Sequence, residues 1–207
     1  KLVSRAAGST ATVGDHKSYT PTISGDGNWV AFVSEAQNLV SGVSFPSGST
    51  QQVYLYSVQA DTIQLVTYKT GSTTTASNTY DTTTPTVEPS LSTDGRYLAF
   101  TTEADDLVPG QDTTNEFFLP FLGQRADAFL YDRVANTMSM ITHVPSSPVT
   151  GGSDFASNVT VAGDGTKVAF VSNSYNLIAN STEAVESTTW DVFLYDIATG
   201  SVTLATH

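Results

Sequence analysis

An all-β chain of repeated antiparallel sheets is predicted by three observations. First, one segment occurs three times: Pro21-Thr-Ile-Ser-Gly-Asp-Gly-Asn-Trp-Val-Ala-Phe-Val-Ser34, then Pro89-Ser-Leu-Ser-Thr-Asp-Gly-Arg-Tyr-Leu-Ala-Phe-Thr-Thr102, then Val159-Thr-Val-Ala-Gly-Asp-Gly-Thr-Lys-Val-Ala-Phe-Val-Ser172. The Asp-Gly pairs start at Asp26, Asp94 and Asp164, steps of 68 and 70 residues by subtraction, and self-similarity at a fixed period marks a repeat architecture. Second, apolar residues alternate on both sides of each pair, as Leu91, Leu98 and Phe100 do, which is the pattern of a sheet with one buried face. Third, no stretch carries a helical period.

The elements follow in chain order. Residues 1–6 (Lys1-Leu-Val-Ser-Arg-Ala6) read as an orphan strand, because Leu-Val-Ser matches the ends of Ile63-Gln-Leu-Val-Thr67, Met138-Ser-Met-Ile-Thr142 and Val202-Thr-Leu-Ala-Thr206. Residues 7–20 are a loop rich in Gly, Ser, Thr and Ala. Each repeated segment is a hairpin: Asp-Gly favours a type I′ turn, in which both central residues take positive φ. A conserved-looking element of the repeat comes next, Glu35-Ala-Gln-Asn-Leu-Val40, Glu103-Ala-Asp-Asp-Leu-Val108 and Asn173-Ser-Tyr-Asn-Leu-Ile178, whose fourth, polar residue turns the chain. After a variable loop comes a third strand, Gln52 to Tyr56, Asp127 to Tyr131 and Asp191 to Tyr195, and after a short turn the fourth strand already named.

Four antiparallel strands per repeat make a sheet too small to stand alone. Stacking such sheets radially buries both faces, as in the blades of a β-propeller. The blades span residues 21–67, 89–142 and 159–206 of a single propeller-type domain covering residues 1–207, with residues 1–6 left over. The Ser-x-Asp-Gly-x-x-Leu/Val-Ala-Phe and Asp-x-Phe-Leu-Tyr-Asp segments resemble the propeller repeats of TolB-like proteins, relatives of the WD-repeat propellers. The resemblance implies a propeller fold. It leaves function open, because such repeats occur in periplasmic translocation proteins, in non-catalytic domains of peptidases and in secreted bacterial proteins.

Closed propellers have about four to eight blades, so three leave an incomplete ring with exposed faces and edges. The expected completion is a second copy around a twofold axis, or further blades in a longer chain or another subunit. Residues 1–6 would then add a strand to a neighbour's blade.

Composition narrows the function classes. Only 14% of the 207 residues are charged and the formal net charge is −12 with eight Lys and Arg, which opposes a phosphate backbone or an anionic membrane as partner. Few charges and many Ser and Thr point to an extracellular, cell-surface or periplasmic setting. No Cys is present, so disulfides are excluded. Lys1 in place of an initiator Met fits removal of a signal peptide or of a longer N-terminal part, or a trimmed boundary.

Catalytic signals are sparse. His16, His143 and His207 stand in or beside loops at unrelated spacings, and no Gly-x-Ser-x-Gly elbow occurs. The expectation is therefore no enzyme and no cofactor. Acidic loop residues Asp105, Asp106, Asp112, Glu116 and Asp127, and Glu183, Glu186 and Asp191, are oxygen donors of the type Ca²⁺ takes. Asp112, Glu116 and Asp127 are the candidate ligands, solvated loop charge is the plainer reading, and Asp127 and Asp191 stand where a strand-start cap would. The apolar loop 115–123 supplies candidate contacts Phe117, Phe118, Leu119, Phe121 and Leu122, with Leu2 and Val3 from the first strand. It serves equally well as a lid on its own blade. Asn158 and Asn180 sit in Asn-x-Thr triplets that fit N-glycosylation. The reading is a self-associating structural module. Two alternatives are a peptide- or glycan-binding propeller and a glycosidase- or lyase-type enzyme with two carboxylates about 5 to 10 Å apart.

Overall fold

The structure, a computed structural model, describes residues 1–47, 51–79, 88–112, 126–179 and 189–206. It contains twelve strands and no helix among these residues. Blade 1 is β1 (Ser18–Ile23), β2 (Trp29–Ser34), β3 (Gln52–Ser57) and β4 (Thr62–Leu65). Blade 2 is β5 (Ser90–Leu91), β6 (Tyr97–Thr102), β7 (Asp127–Asp132) and β8 (Thr137–Met140). Blade 3 is β9 (Ala156–Val161), β10 (Lys167–Ser172), β11 (Asp191–Asp196) and β12 (Ser201–Leu204). Each is a four-stranded antiparallel meander in which every strand pairs with its chain neighbour, so the chain is an incomplete, all-β propeller.

The hairpin turns differ from the type I′ expectation. Only the glycines, Gly27, Gly95 and Gly165, take positive φ (73°, 63° and 70°). Gly27 N–H donates to Ser24 O (2.9 Å) and Ser24 N–H to Trp29 O (2.9 Å), which makes a type I turn followed by a left-handed glycine, a four-residue loop between Ser24 and Trp29. The Asp carboxylate is why. Asp26 Oδ1 accepts from Ser24 Oγ (2.5 Å) and from Asn28 N (2.9 Å), and Ser24 Oγ accepts from Trp29 N (3.0 Å). Asp94 repeats this with Ser92 and Arg96. The side chain satisfies the turn amides and holds the Asp itself at negative φ.

The blades stack face to face through one repeated interface. Ala31, Val33, Val53, Leu55 and Val66 of blade 1 pack on Leu98, Phe100, Phe129, Tyr131 and Met140 of blade 2. One repeat later, Ala99, Ala128, Leu130 and Ile141 pack on Val168, Phe170, Phe193 and Tyr195 of blade 3. Blades 1 and 2 thus turn an aliphatic face towards the next blade, and blades 2 and 3 an aromatic face towards the one before. Stacked ring pairs mark the aromatic face in all three: Phe32 with Tyr54, Phe100 with Phe129 and Phe170 with Phe193.

A second contact locks the blades together. A Cβ on Gly95 would lie 2.3 Å from Cδ1 of Trp29, and one on Gly165 would lie 2.8 Å from Cδ2 of Tyr97. The aromatic that opens the second strand of one blade therefore rests on the bare turn glycine of the next. Arg133 lies 3.9 Å over the Trp29 ring and donates from Nε to Gly95 O (3.0 Å). Backbone bonds run beside this lock, Asp26 N to Thr93 O and Thr93 N to Gly163 O, both 2.9 Å.

Residues 1–6 are not a strand of any sheet; this corrects the expectation of an orphan strand. Their one ladder contact is an isolated bridge between Arg5 and Val13. The bridges Tyr68 to Ala76 and His143 to Gly151 have the same eight-residue spacing, by subtraction, and follow the fourth strands of blades 1 and 2. The same hydrogen bonds recur as well: Gly14 N to Ser4 O, Ser77 N to Thr67 O and Gly152 N to Thr142 O. Residues 2–14 therefore take the conformation of residues 65–77 and lie on blade 1 as those lie on blade 2.

Candidate interaction surfaces

The two ends of the stack differ in how they are covered. On the aromatic face of blade 1, Phe32, Tyr54, Tyr56 and Leu65 are buried, with Val3 packed against them as Val66 is packed on blade 2. The N-terminal segment is clipped there by Asp61, which takes Lys1 Nζ at 2.9 Å, Arg5 Nη2 at 2.5 Å and the Tyr56 hydroxyl at 2.8 Å. These donors, Lys1 first, hold the Asp61 carboxyl down at about 2. Asp61 sits at φ 57°, where Asn136 and Gly200 stand in the other blades at 54° and 69°. Of the two residues expected to make contacts, Val3 is thus half-buried against its own blade, and half-buried Leu2 accepts from Arg5 Nη1 (3.0 Å). Burial pushes the Tyr54 hydroxyl up, and it donates to Ala36 O (2.8 Å).

At the other end the aliphatic face of blade 3 is less deeply buried. Ala169, Val171, Val192 and Leu194 occupy the positions of Ala31, Val33, Val53 and Leu55, which are at most 1% exposed, yet all four are only half-buried. Ala205 and Thr206 are exposed, whereas their equivalents Val66, Thr67, Ile141 and Thr142 are buried. Trp190, at 52% exposure, stands beside β11. The lock position is also different: where blades 1 and 2 carry Trp29 and Tyr97, blade 3 carries Lys167, whose Nζ is 2.6 Å from Asp196 Oδ2. This ion pair, then the Thr199 amide, lowers the Asp196 carboxyl to about 2. At the first blade the matching seat is open, with nothing within 4 Å of a Cβ on Gly27. The sequence holds this asymmetry in plain view at residues 29, 97 and 167.

The described acidic loop residues make hydrogen bonds within the fold. Asp127 is buried and accepts from Thr142 Oγ1 (2.5 Å), which in turn accepts from Ala128 N (3.0 Å). The same latch joins Gln52, Thr67 and Val53 N in blade 1, and Asp191, Thr206 and Val192 N in blade 3. Asp105 and Asp106 hold the connector after blade 1, through Asn78 Nδ2 and Asn78 N respectively. Asn38 and Asn176 do the same for Asp15 N and Ser153 N, so the fourth, polar residue of that element catches a neighbouring connector rather than turning its own chain. Asp112 bonds through its backbone to Val149 and Gly151. Among the described residues no group of three His, Cys, Asp or Glu is placed to hold a metal. Glu116, Glu183 and Glu186 lie outside the described residues, as do Phe117, Phe118, Leu119, Phe121, Leu122, Asn180 and His207.

Asn158 lies within β9, at a bulge, with φ 51° and an exposed side chain; Thr20 has the same role in β1. His16 is exposed beside Asp15, and His143 lies edge-on to Tyr195 with Nδ1 at 3.0 Å from Val144 O. A groove of about 610 Å³ runs between the connector after blade 1 and the outer strands of blade 2, lined by Tyr68, Lys69, Leu107, Tyr131, Asn136 and Met138. A smaller one of about 230 Å³ with Arg5, Leu39, Asp61 and Ile63 stands at the matching place on blade 1, so the groove belongs to the repeat. No helix is long and apolar enough to cross a membrane among the described residues.

No family model and no curated protein matches this chain. Solved structures do. Oligogalacturonate lyase from Vibrio parahaemolyticus is 14% identical over 97% of this chain and 45% of its own, with a TM-score of 0.45. TolB from Acinetobacter baumannii is 18% identical over 92% and 44%, with a TM-score of 0.30. The isopeptidase AtxE2 is 14% identical over 90% and 28%, with a TM-score of 0.48. This chain spans less than half the length of each, and likenesses at this level assign no activity.

Proposed function

We propose that this chain is a non-catalytic structural module, acting outside the cytoplasm, that associates through the end faces of its blade stack. The observation that carries this reading is the aliphatic face of blade 3. Ala169, Val171, Val192 and Leu194 are only half-buried in a fold that buries Ala31, Val33, Val53 and Leu55 of blade 1 and Ala99, Ala128 and Leu130 of blade 2. Contiguous apolar surface of this sort is favourable to remove from water, at about 25 cal/mol per Å². The low charge content and the Ser and Thr abundance support the extracellular part of the reading. Buried side chains that donate and accept within the fold, such as Asp127 and Thr142, support the non-catalytic part.

Multi-angle light scattering on the purified chain tests this reading. The expected result is mass that rises with concentration, and a folded monomer across the micromolar to millimolar range would end the reading. A peptide- or glycan-binding role has the groove lined by Tyr68 and Tyr131 in its favour, but recurrence of that groove on blade 1 gives it an architectural origin.

A further inference from the structure

The grooves on blades 1 and 2 share one frame and differ in what fills them. By repeat position, Arg5, Leu39, Asp61 and Ile63 on blade 1 stand where Tyr68, Leu107, Asn136 and Met138 stand on blade 2. On blade 1 the place belongs to an arginine of the chain itself. The Arg5 guanidinium lies 5.6 Å over the Tyr56 ring and makes three hydrogen bonds: Nη1 to Leu2 O (3.0 Å), and Nη2 to Asp61 O (2.8 Å) and to Asp61 Oδ1 (2.5 Å). An aromatic face with oxygens around its edge is the environment a planar guanidinium takes, and Arg5 is 7% exposed there.

Each part of that environment recurs on blade 2. Tyr131 replaces Tyr56, and its hydroxyl donates to Asn136 Oδ1 (2.9 Å) as that of Tyr56 donates to Asp61 Oδ1 (2.8 Å). The backbone beneath the acceptor is the same, with φ 54° at Asn136 and 57° at Asp61. Leu65, at the position of Leu2, lies in β4 at the outer edge of its sheet. Its carbonyl faces away from β3, because the next amide, Val66 N, is the one that donates to Val53 O (2.8 Å). The side chain at the position of Arg5 is what differs. Tyr68 packs on the blade 1 cluster of Phe32, Tyr54 and Leu65, and Tyr131 becomes part of the groove wall. The groove accordingly holds about 610 Å³, against about 230 Å³ on blade 1.

We propose that the blade 2 groove receives an arginine side chain of a peptide partner, in the pose that Arg5 takes on blade 1. The guanidinium stacks on Tyr131 and donates to Leu65 O, Asn136 O and Asn136 Oδ1, while its methylene stem lies along Leu107 and Met138. Charge favours such a guest. The chain carries a formal net charge of −12, and the cation on the groove wall, Lys69, has its Nζ 3.7 Å from Asp106 Oδ2. Asn136 offers a neutral oxygen where Asp61 offers a carboxylate, so this seat binds more weakly than its counterpart. The groove lies on the flank of the stack, between blades 1 and 2, and is separate from the end faces.

The test titrates N-acetyl-arginine methylamide into the dilute, nitrogen-15-labelled full chain and follows amide chemical shifts by NMR. Saturable shifts are expected at Leu65, Tyr131, Asn136 and Met138. N-acetyl-citrulline methylamide, the uncharged isostere, is expected to bind about fivefold more weakly or less, having lost the charge that strengthens both contacts. Asn136→Asp copies Asp61 and should tighten binding by about fivefold, since a carboxylate accepts from a cation about twice as strongly as a neutral oxygen does. Tyr68→Arg supplies the groove with its own arginine and should abolish binding; if that variant lacks native circular dichroism, Asn136→Asp carries the test alone. Absence of shifts with the arginine probe, equal affinity for the citrulline probe, or an affinity unchanged in Asn136→Asp would each overturn the proposal. None of these results bears on self-association, which light scattering reads separately.

Discussion

Replacing Gly95 by Ala separates what a turn glycine does for its own hairpin from what it does for blade docking. Two effects act at Gly95. Its φ of 63° is left-handed, which costs an L-residue roughly 1–2 kcal/mol. A Cβ there would also meet Trp29 at 2.3 Å from Cδ1, 2.6 Å from Cγ and 2.9 Å from Cβ. The last two are not the free end of a flexible chain, so Trp29 must move and take with it the Arg133 contact at 3.9 Å. Overpacking of this kind costs about 1–3 kcal/mol, and the cation–π contact adds about 0.5–1 kcal/mol. Gly27→Ala is the control, because its φ is 73° and nothing lies within 4 Å of the new Cβ. The backbone strain and the lost unfolded-state entropy are common to both variants and cancel in the difference. Gly95→Ala should therefore be less stable than Gly27→Ala by about 2 kcal/mol. Urea unfolding followed by circular dichroism and by tryptophan emission reads this, in a Trp190→Phe background so that Trp29 alone reports. Midpoints for the two variants that agree within about 0.5 kcal/mol would refute the glycine lock.

Other outcomes follow from the same geometry. Thr142→Val removes two buried hydrogen bonds, one to the Asp127 carboxylate, and should cost about 2–4 kcal/mol, whereas Thr206→Val at the exposed counterpart should stay within about 0.5 kcal/mol; chemical denaturation compares them. Asp61 is depressed to about 2 by Lys1, Tyr56 and Arg5, so its contribution is present above the ordinary carboxylate pKa and is lost as pH falls towards 2. Hydrogen-exchange protection factors at Arg5 and Gly14, taken relative to the intrinsic rate at each pH, should fall over that window in wild type and be low at every pH in Asp61→Asn. Added Ca²⁺ or chelator should leave the thermal midpoint unchanged, because Asp127 is engaged by Thr142; a rise with Ca²⁺ would show that the acidic loops bind it.

The fold was largely legible because its signals are local and repeated. Alternation around Asp26, Asp94 and Asp164, with the Phe-Leu-Tyr strands, is enough to place three meanders, and the observed strands fall on those segments. Turn type was not legible, since it depends on the Asp carboxylate accepting from the amide two residues on, at Asn28, Arg96 and Thr166, a competition that the dipeptide alone does not display. The N-terminal segment misled for a related reason. Leu2-Val3-Ser4 has the sequence of a strand end, but strand character depends on a partner strand, and here the segment lies on blade 1 with Arg5 bridged to Val13. The eight-residue spacing to a small or β-branched partner was the available signal. Among candidate site residues, Asp127 was ambiguous because a strand-start carboxylate serves a cap or a cation equally well until Thr142, fifteen residues away, is seen beside it. Depth of burial is a property of packing, so no reading of Ala169 or Leu194 by itself distinguishes them from Ala31 and Leu55.

Sedimentation equilibrium on the wild-type chain and on Val171→Asp, at matched concentrations, tests most directly whether the half-buried aliphatic face of blade 3 is a contact surface. The wild-type chain should show reversible self-association and the variant a folded species of single-chain mass. Identical distributions for the two proteins would contradict that role.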